Sequence, residues 1–210
     1  MSLKSPAGIL ALSLLALGAA SFVAFRAPVR AMASATAPAY DKDGKMLQPA
    51  NYREWVYLTT GIDMSYTPKE AGMEGHSTFD NVFVNPEAYR SFLATGTWPD
   101  KTVIVLEARE ARTKGSINQS GHFQAGGVRD LEVHVKDEAR FPGKWAFFSF
   151  DSEKGNGTLI PSGANCYSCH ASHAAVDTTF VQFYPTLLPI AQSKGTLSAS
   201  FMKDEAAAGK

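Results

Sequence analysis

Cys166, Cys169 and His170, in the run Cys166-Tyr167-Ser168-Cys169-His170, set two thiols three positions apart with an imidazole directly after the second. On a helix, residues three and four apart share a face, so both sulfurs can reach one flat group while the imidazole turns toward its centre. That arrangement is the pattern of covalent haem c attachment. The thiols add to two vinyl groups as thioethers, and His170 binds the iron as proximal ligand. These are the only two cysteines of the 210 residues, so both are consumed and no disulfide framework remains. Other readings of the pair fit less well. A thioredoxin-like redox pair, or a small disulfide of that kind, belongs next to a βαβ pattern, which the surrounding sequence lacks. Half of a zinc site needs a second cysteine pair, and His170 and His173 stand too close in sequence to complete a finger.

What occupies the other face of the iron decides the chemistry. A low-spin electron carrier needs a second strong ligand, usually Met or His. The motif lies late in the chain, and Met202 is the only methionine after it. His76, His122, His134, His173, Met64 and Met73 are the other candidates, although such residues more often prove ordinary surface or core residues. The expectation is a five-coordinate iron with an open face.

The elements that must position this motif are mostly strands. Residues 131–136 alternate strictly between apolar and polar, the mark of a strand with one buried face. Residues 55–60, 79–84, 102–108, 122–125 and 145–150 are aromatic or β-branched runs of strand length. Three helices interrupt them. Asn85 as cap, Pro86 at the first helical position and Gly96 as terminator define one. Asn165 is expected to cap a second over residues 166–174, which carries the haem motif, and residues 185–194 closed by Gly195 form the third. The fold class is α+β, predominantly antiparallel β-sheet with short helices.

Residues 1–33 have the layout of an export signal: basic Lys4, an apolar run over residues 7–25, and the small-residue stretch around Ala31 and Ala33. Cleavage after Ala33 is the expectation, with a retained anchor over residues 7–25 as the alternative. Lys plus Arg and Asp plus Glu number 20 each, but the leader holds three of the cations and no acid, so the remainder carries 17 minus 20, or minus three. That balance excludes a strongly basic nucleic-acid binder. Residues 34–45 read as a flexible leader, 46–198 as one haem c domain, and 199–210 as a solvated tail. The protein is expected to be periplasmic.

The chain resembles the cytochrome P-460 family, which includes the cytochromes c-prime-beta. The resemblance runs from Asn51-Tyr52-Arg53-Glu54-Trp55 through Asn85-Pro86-Glu87-Ala88-Tyr89, Thr102-Val103-Ile104-Val105, Val135-Lys136-Asp137 and Trp145-Ala146-Phe147, and ends on the haem motif and Phe183-Tyr184-Pro185. It implies an antiparallel β fold, a homodimer, one haem c with His170 as proximal ligand, and an open distal pocket. Members of the P-460 branch oxidise hydroxylamine with a lysine cross-linked to the haem ring. Leu106 occupies that lysine's position and has no nucleophilic nitrogen. Glu132 matches the family's pocket carboxylate, which takes substrate protons, although strand alternation alone would put it on a solvated face.

The resemblance therefore leaves two functions open. One is a c-prime-beta-like protein that binds or processes small nitrogen oxides such as nitric oxide. The other is a hydroxylamine-oxidising oxidoreductase with Glu132 as proton acceptor and an external redox partner. A plain electron carrier is the third class, distinguished by a protein sixth ligand.

Overall fold

A computed structural model describes residues 36–64, 77–151 and 155–208. Residues 1–33, for which an export signal is expected, and Met73 and His76 lie outside the described residues. Among the described residues no helix is long and apolar enough to cross a membrane.

Six strands form one sheet, β1 (Val56–Ile62), β2 (Thr78–Val84), β3 (Val103–Arg112), β4 (Phe123–Lys136), β5 (Trp145–Phe150) and β6 (Thr158–Leu159). Each pairs antiparallel with the next in sequence. The two-residue period of a strand assigns alternate side chains to opposite faces. On one face Val103, Val105, Leu131, Val133, Val135, Phe148 and Phe150 pack with Met46, Tyr52 and Trp55 into a closed core. Burying a side chain as completely as Phe148 contributes about 1.5–3 kcal/mol, and Phe148 is fully shielded.

The opposite face is covered by helices at one end only. There Val82, Val84 and Ile104 pack against Phe92 of α1 (Pro86–Thr95), Ala191 of α3 (Leu188–Lys194) and Phe201 of α4 (Ala199–Ala208). The fourth helix, α2 (Asn165–His173), lies over the rest of this face. The architecture is the expected α+β class, with four α-helices among the described residues where three were expected.

Several local expectations are corrected. Asn85 precedes α1 but makes no side-chain cap. Its carboxamide instead accepts the Val103 N–H at 2.8 Å and donates to the Lys101 carbonyl at 3.3 Å, tying the helix start to β3. Gly96 does end α1, at φ 76°, where the Gly96 N–H reaches the Phe92 carbonyl. The two runs at 122–125 and 131–136 belong to one strand, because β4 absorbs the intervening residues in two register shifts opposite Ala108, Arg109 and Glu110. Residues 199–208 are helical, since Phe201 finds a buried seat in the core. Within the leader, Tyr40 bridges to Met46, and Tyr40 packs on Phe148 and Phe141, so the described part of it is held against the domain.

Candidate functional site

Between α2 and the open part of the sheet lies a cavity of about 800 Å³. That volume falls in the range of roughly 300–1,000 Å³ typical of ligand and cofactor sites. Asp80, Val82, Ile104, Leu106, Ala108 and Glu132 line it from the sheet, and Asn165, Cys166, Cys169 and His170 from the helix. The helical spacing of the motif places both sulfurs and the imidazole on one cavity, as the sequence requires. Cys166 and Cys169 are free thiols, each half-buried. Asn165 is the first residue of α2 and not its cap, and it accepts a hydrogen bond from Ser168. Tyr167, inside the motif, braces the helix against the sheet by accepting the Phe147 N–H and donating to the Ile160 carbonyl.

His170 Nδ1 lies 2.7 Å from the Thr178 carbonyl oxygen, to which it donates. The tautomer is thereby fixed, and Nε2 retains its lone pair. Burial pushes the His170 pKa below the ordinary imidazole value, with the carbonyl bond opposing part of that shift. The ring is flanked by Phe180 at 4.1 Å and Phe147 at 4.7 Å between centroids. A neutral imidazole with its far nitrogen engaged by a carbonyl is the usual state of a metal-ligating histidine. Two free thiols, that imidazole and a cavity of this size together fit a haem held by Cys166, Cys169 and His170.

Leu106 and Glu132 face the same cavity as cross-strand partners, with Val82 on the other side of Leu106. The Glu132 side chain reaches into the open space and meets solvent there, while the surrounding walls limit its hydration. Burial, then the charges of Asp130 and Asp80, raise its pKa. Asp80 is raised likewise by burial, Asp63 and Asp130. Arg129 joins this rim because β4 carries it as an extra residue at a register shift.

The sequence places His134 on a polar face with Glu132 and Lys136, and the three do share one. The cover differs along it: His134 and Lys136 are buried, while Glu132 is exposed toward the cavity. His134 is 8% exposed and Lys136 equally so. Alternation shows which residues share a face but not what lies against it. His134 contacts His170 edge-on, with centroids 5.2 Å apart. While that contact holds, the two rings cannot sit on opposite sides of one planar group. Met64 lines the cavity. His173 is exposed and pairs with Asp204 at 2.6 Å, Met202 is exposed, and His122 is exposed away from the cavity. Phe183 is 41% exposed and lines the cavity, whereas Tyr184 beside it is buried.

The family described as Cytochrome P460 matches residues 49–181, a span that takes in the whole sheet, α2 and the turn bearing Thr178. No curated protein matches the chain.

Proposed function

Because the chain belongs to the cytochrome P460 family of haem cytochromes, we propose that it is an exported, periplasmic mono-haem c cytochrome with an open distal side that binds or processes small nitrogen oxides such as nitric oxide. The observation that carries this reading is Leu106 in the cavity wall, flanked by Val82 and Glu132 along the sheet. Among the described lining residues there is no lysine, so none of them offers an amine for a further bond to the haem ring.

The bound haem supplies an iron able to take a small diatomic ligand. Cys166 and Cys169 would hold the ring by thioethers, and His170, its Nδ1–H hydrogen-bonded to the Thr178 carbonyl, would offer Nε2 to the iron. Leu106, Val82 and Ile104 present methyl groups only, so they exclude water without donating a hydrogen bond. Beside these three side chains, ligands that need no polar stabilisation are favoured over dioxygen, while Glu132 supplies a polar group further along the same wall. A homodimer and an external redox partner are part of the proposal.

Absorption spectra of the purified ferric and ferrous protein, before and after alkaline pyridine, followed by nitric oxide titration of the ferrous form, test it. Haem c with one ligand-accessible iron is the expected result. A six-coordinate spectrum unmoved by nitric oxide refutes it and favours an electron carrier.

Glu132 supports a second reading. A carboxyl with a raised pKa on a cavity wall can hold a proton taken from a substrate. Hydroxylamine oxidation with an artificial electron acceptor tests this reading, and turnover unchanged in Glu132→Ala removes that role.

A further inference from the structure

The carbonyl that receives the His170 proton belongs to a tight turn, and that turn is held from three directions. Val176 and Thr179 bridge across it, with Asp177 at φ 51°. The Thr179 hydroxyl donates to the Val176 carbonyl at 2.8 Å and accepts the Trp98 indole N–H at 2.7 Å. Lys136 Nζ, anchored on the Trp98 carbonyl at 2.7 Å, stands 3.6 Å from the Asp177 carboxylate. The third hold is His134, whose Nε2 lies 3.2 Å from the Thr178 hydroxyl oxygen.

The seat of His134 is aromatic on its other sides. It stacks on Phe147 at 4.0 Å and 10°, meets Trp145 at 4.4 Å, and touches His170 edge-on. A phenylalanine would fill that space and keep the stacking. The imidazole adds only nitrogen edges, and one of them is spent on Thr178, the residue whose carbonyl His170 uses.

We propose that His134 is a positioning residue for His170: through the Thr178 hydroxyl it fixes the carbonyl that accepts the Nδ1 proton, and so sets how strongly Nε2 donates to the haem iron. This rests on the haem reading above. A firmly held acceptor draws the Nδ1 proton, makes the imidazole more basic and stabilises the ferric state. A loosened acceptor does the reverse.

The test uses the full haem-loaded chain and compares His134→Phe, His134→Gln and Thr178→Val. Each is read by the reduction midpoint and by the iron–histidine stretching band of the ferrous protein in resonance Raman spectra. His134→Phe keeps the stacking and loses the hydrogen bond, so its midpoint rises and its band moves to lower frequency. Thr178→Val keeps the carbonyl and loses the hydroxyl, so it reproduces both shifts with little change of volume. His134→Gln can still hydrogen-bond the hydroxyl and lies nearer to wild type than His134→Phe. If His134→Phe fails to fold, Thr178→Val against wild type carries the comparison. Midpoint and band unmoved in Thr178→Val, or His134→Gln shifted as far as His134→Phe, overturns the proposal. A wild-type chain that carries no haem overturns the functional reading with it, whereas a haem-loaded chain insensitive to all three substitutions overturns this proposal alone.

Discussion

Glu107 is nearly inaccessible, at 2% exposure, on the face of β3 turned away from the cavity, and replacing it by Gln should weaken the fold in a pH-dependent way. Its carboxylate accepts from Arg53 at 2.7 Å and from the Tyr52 hydroxyl and Arg109. Hydrogen bonds to a charged group are worth about 1.5–3 kcal/mol each against about 0.5–1.5 kcal/mol for neutral ones, so removing the charge forfeits roughly 1 kcal/mol per contact. An amide is easier to bury than a carboxylate, and Arg53, about half exposed, can turn to water. The net loss should therefore be about 1–2 kcal/mol. Burial alone would push the Glu107 carboxyl up, but Arg109, Tyr52 and Arg53 together hold it below the ordinary value of 4.5. A carboxyl lowered on folding stabilises the protein above its unfolded pKa, and that contribution fades as pH falls through the folded one. Urea unfolding of wild type and Glu107→Gln should differ at neutral pH and converge in acid. A difference that persists undiminished to low pH would refute the reasoning. Because Glu107 points away from the cavity, nitric oxide affinity of the haem-loaded variant should stay at the wild-type level.

Three further outcomes are expected. Asn85→Ala should cost about 1–3 kcal/mol in urea unfolding, because it strands the buried Val103 N–H. Gly96→Ala should lower stability by more than about 1 kcal/mol and reduce the melting temperature, since the position has φ 76° and a Cβ there would stand 2.7 Å from Lys194 Cβ. Glu132 has a raised pKa, so its ionisation opposes folding, and wild-type stability should fall as pH rises above the ordinary glutamate value. Unfolding curves of Glu132→Gln across that interval should lose this part of the slope.

The sequence foretold the elements where residue type and backbone geometry agree. Pro86 and Gly96 bound α1 because a fixed φ and a positive φ are needed at those positions. Residues 145–150 form β5 at the expected limits. Gly126 and Gly127, in contrast, read as a break between two strands. The ladder to β3 outweighs that signal, and the glycines are taken up where Gly126, at φ 72°, gives its carbonyl to Arg109. Helix α4 was hidden in a stretch rich in Ala whose single phenylalanine is buried by tertiary contact. At the site, the convergence of Cys166, Cys169 and His170 on one cavity was legible because residues three and four apart share a helix face. The acceptor for His170 was not, since a backbone carbonyl carries no residue signature, and Thr178 becomes its partner only through the turn at Asp177.

The division of the sheet into one sealed face and one open face has a consequence for substitution. Val103, Val105 and Glu107 secure β3 from behind, while Leu106 lines the cavity in front. A substitution at Leu106 changes what a haem ligand meets but removes little of the packing that holds the strand in place. Chemistry and foldability are therefore written on alternate residues of one strand. Under the haem reading, the side chain at that position can be exchanged between inert and reactive types while the packing behind the strand stays in place.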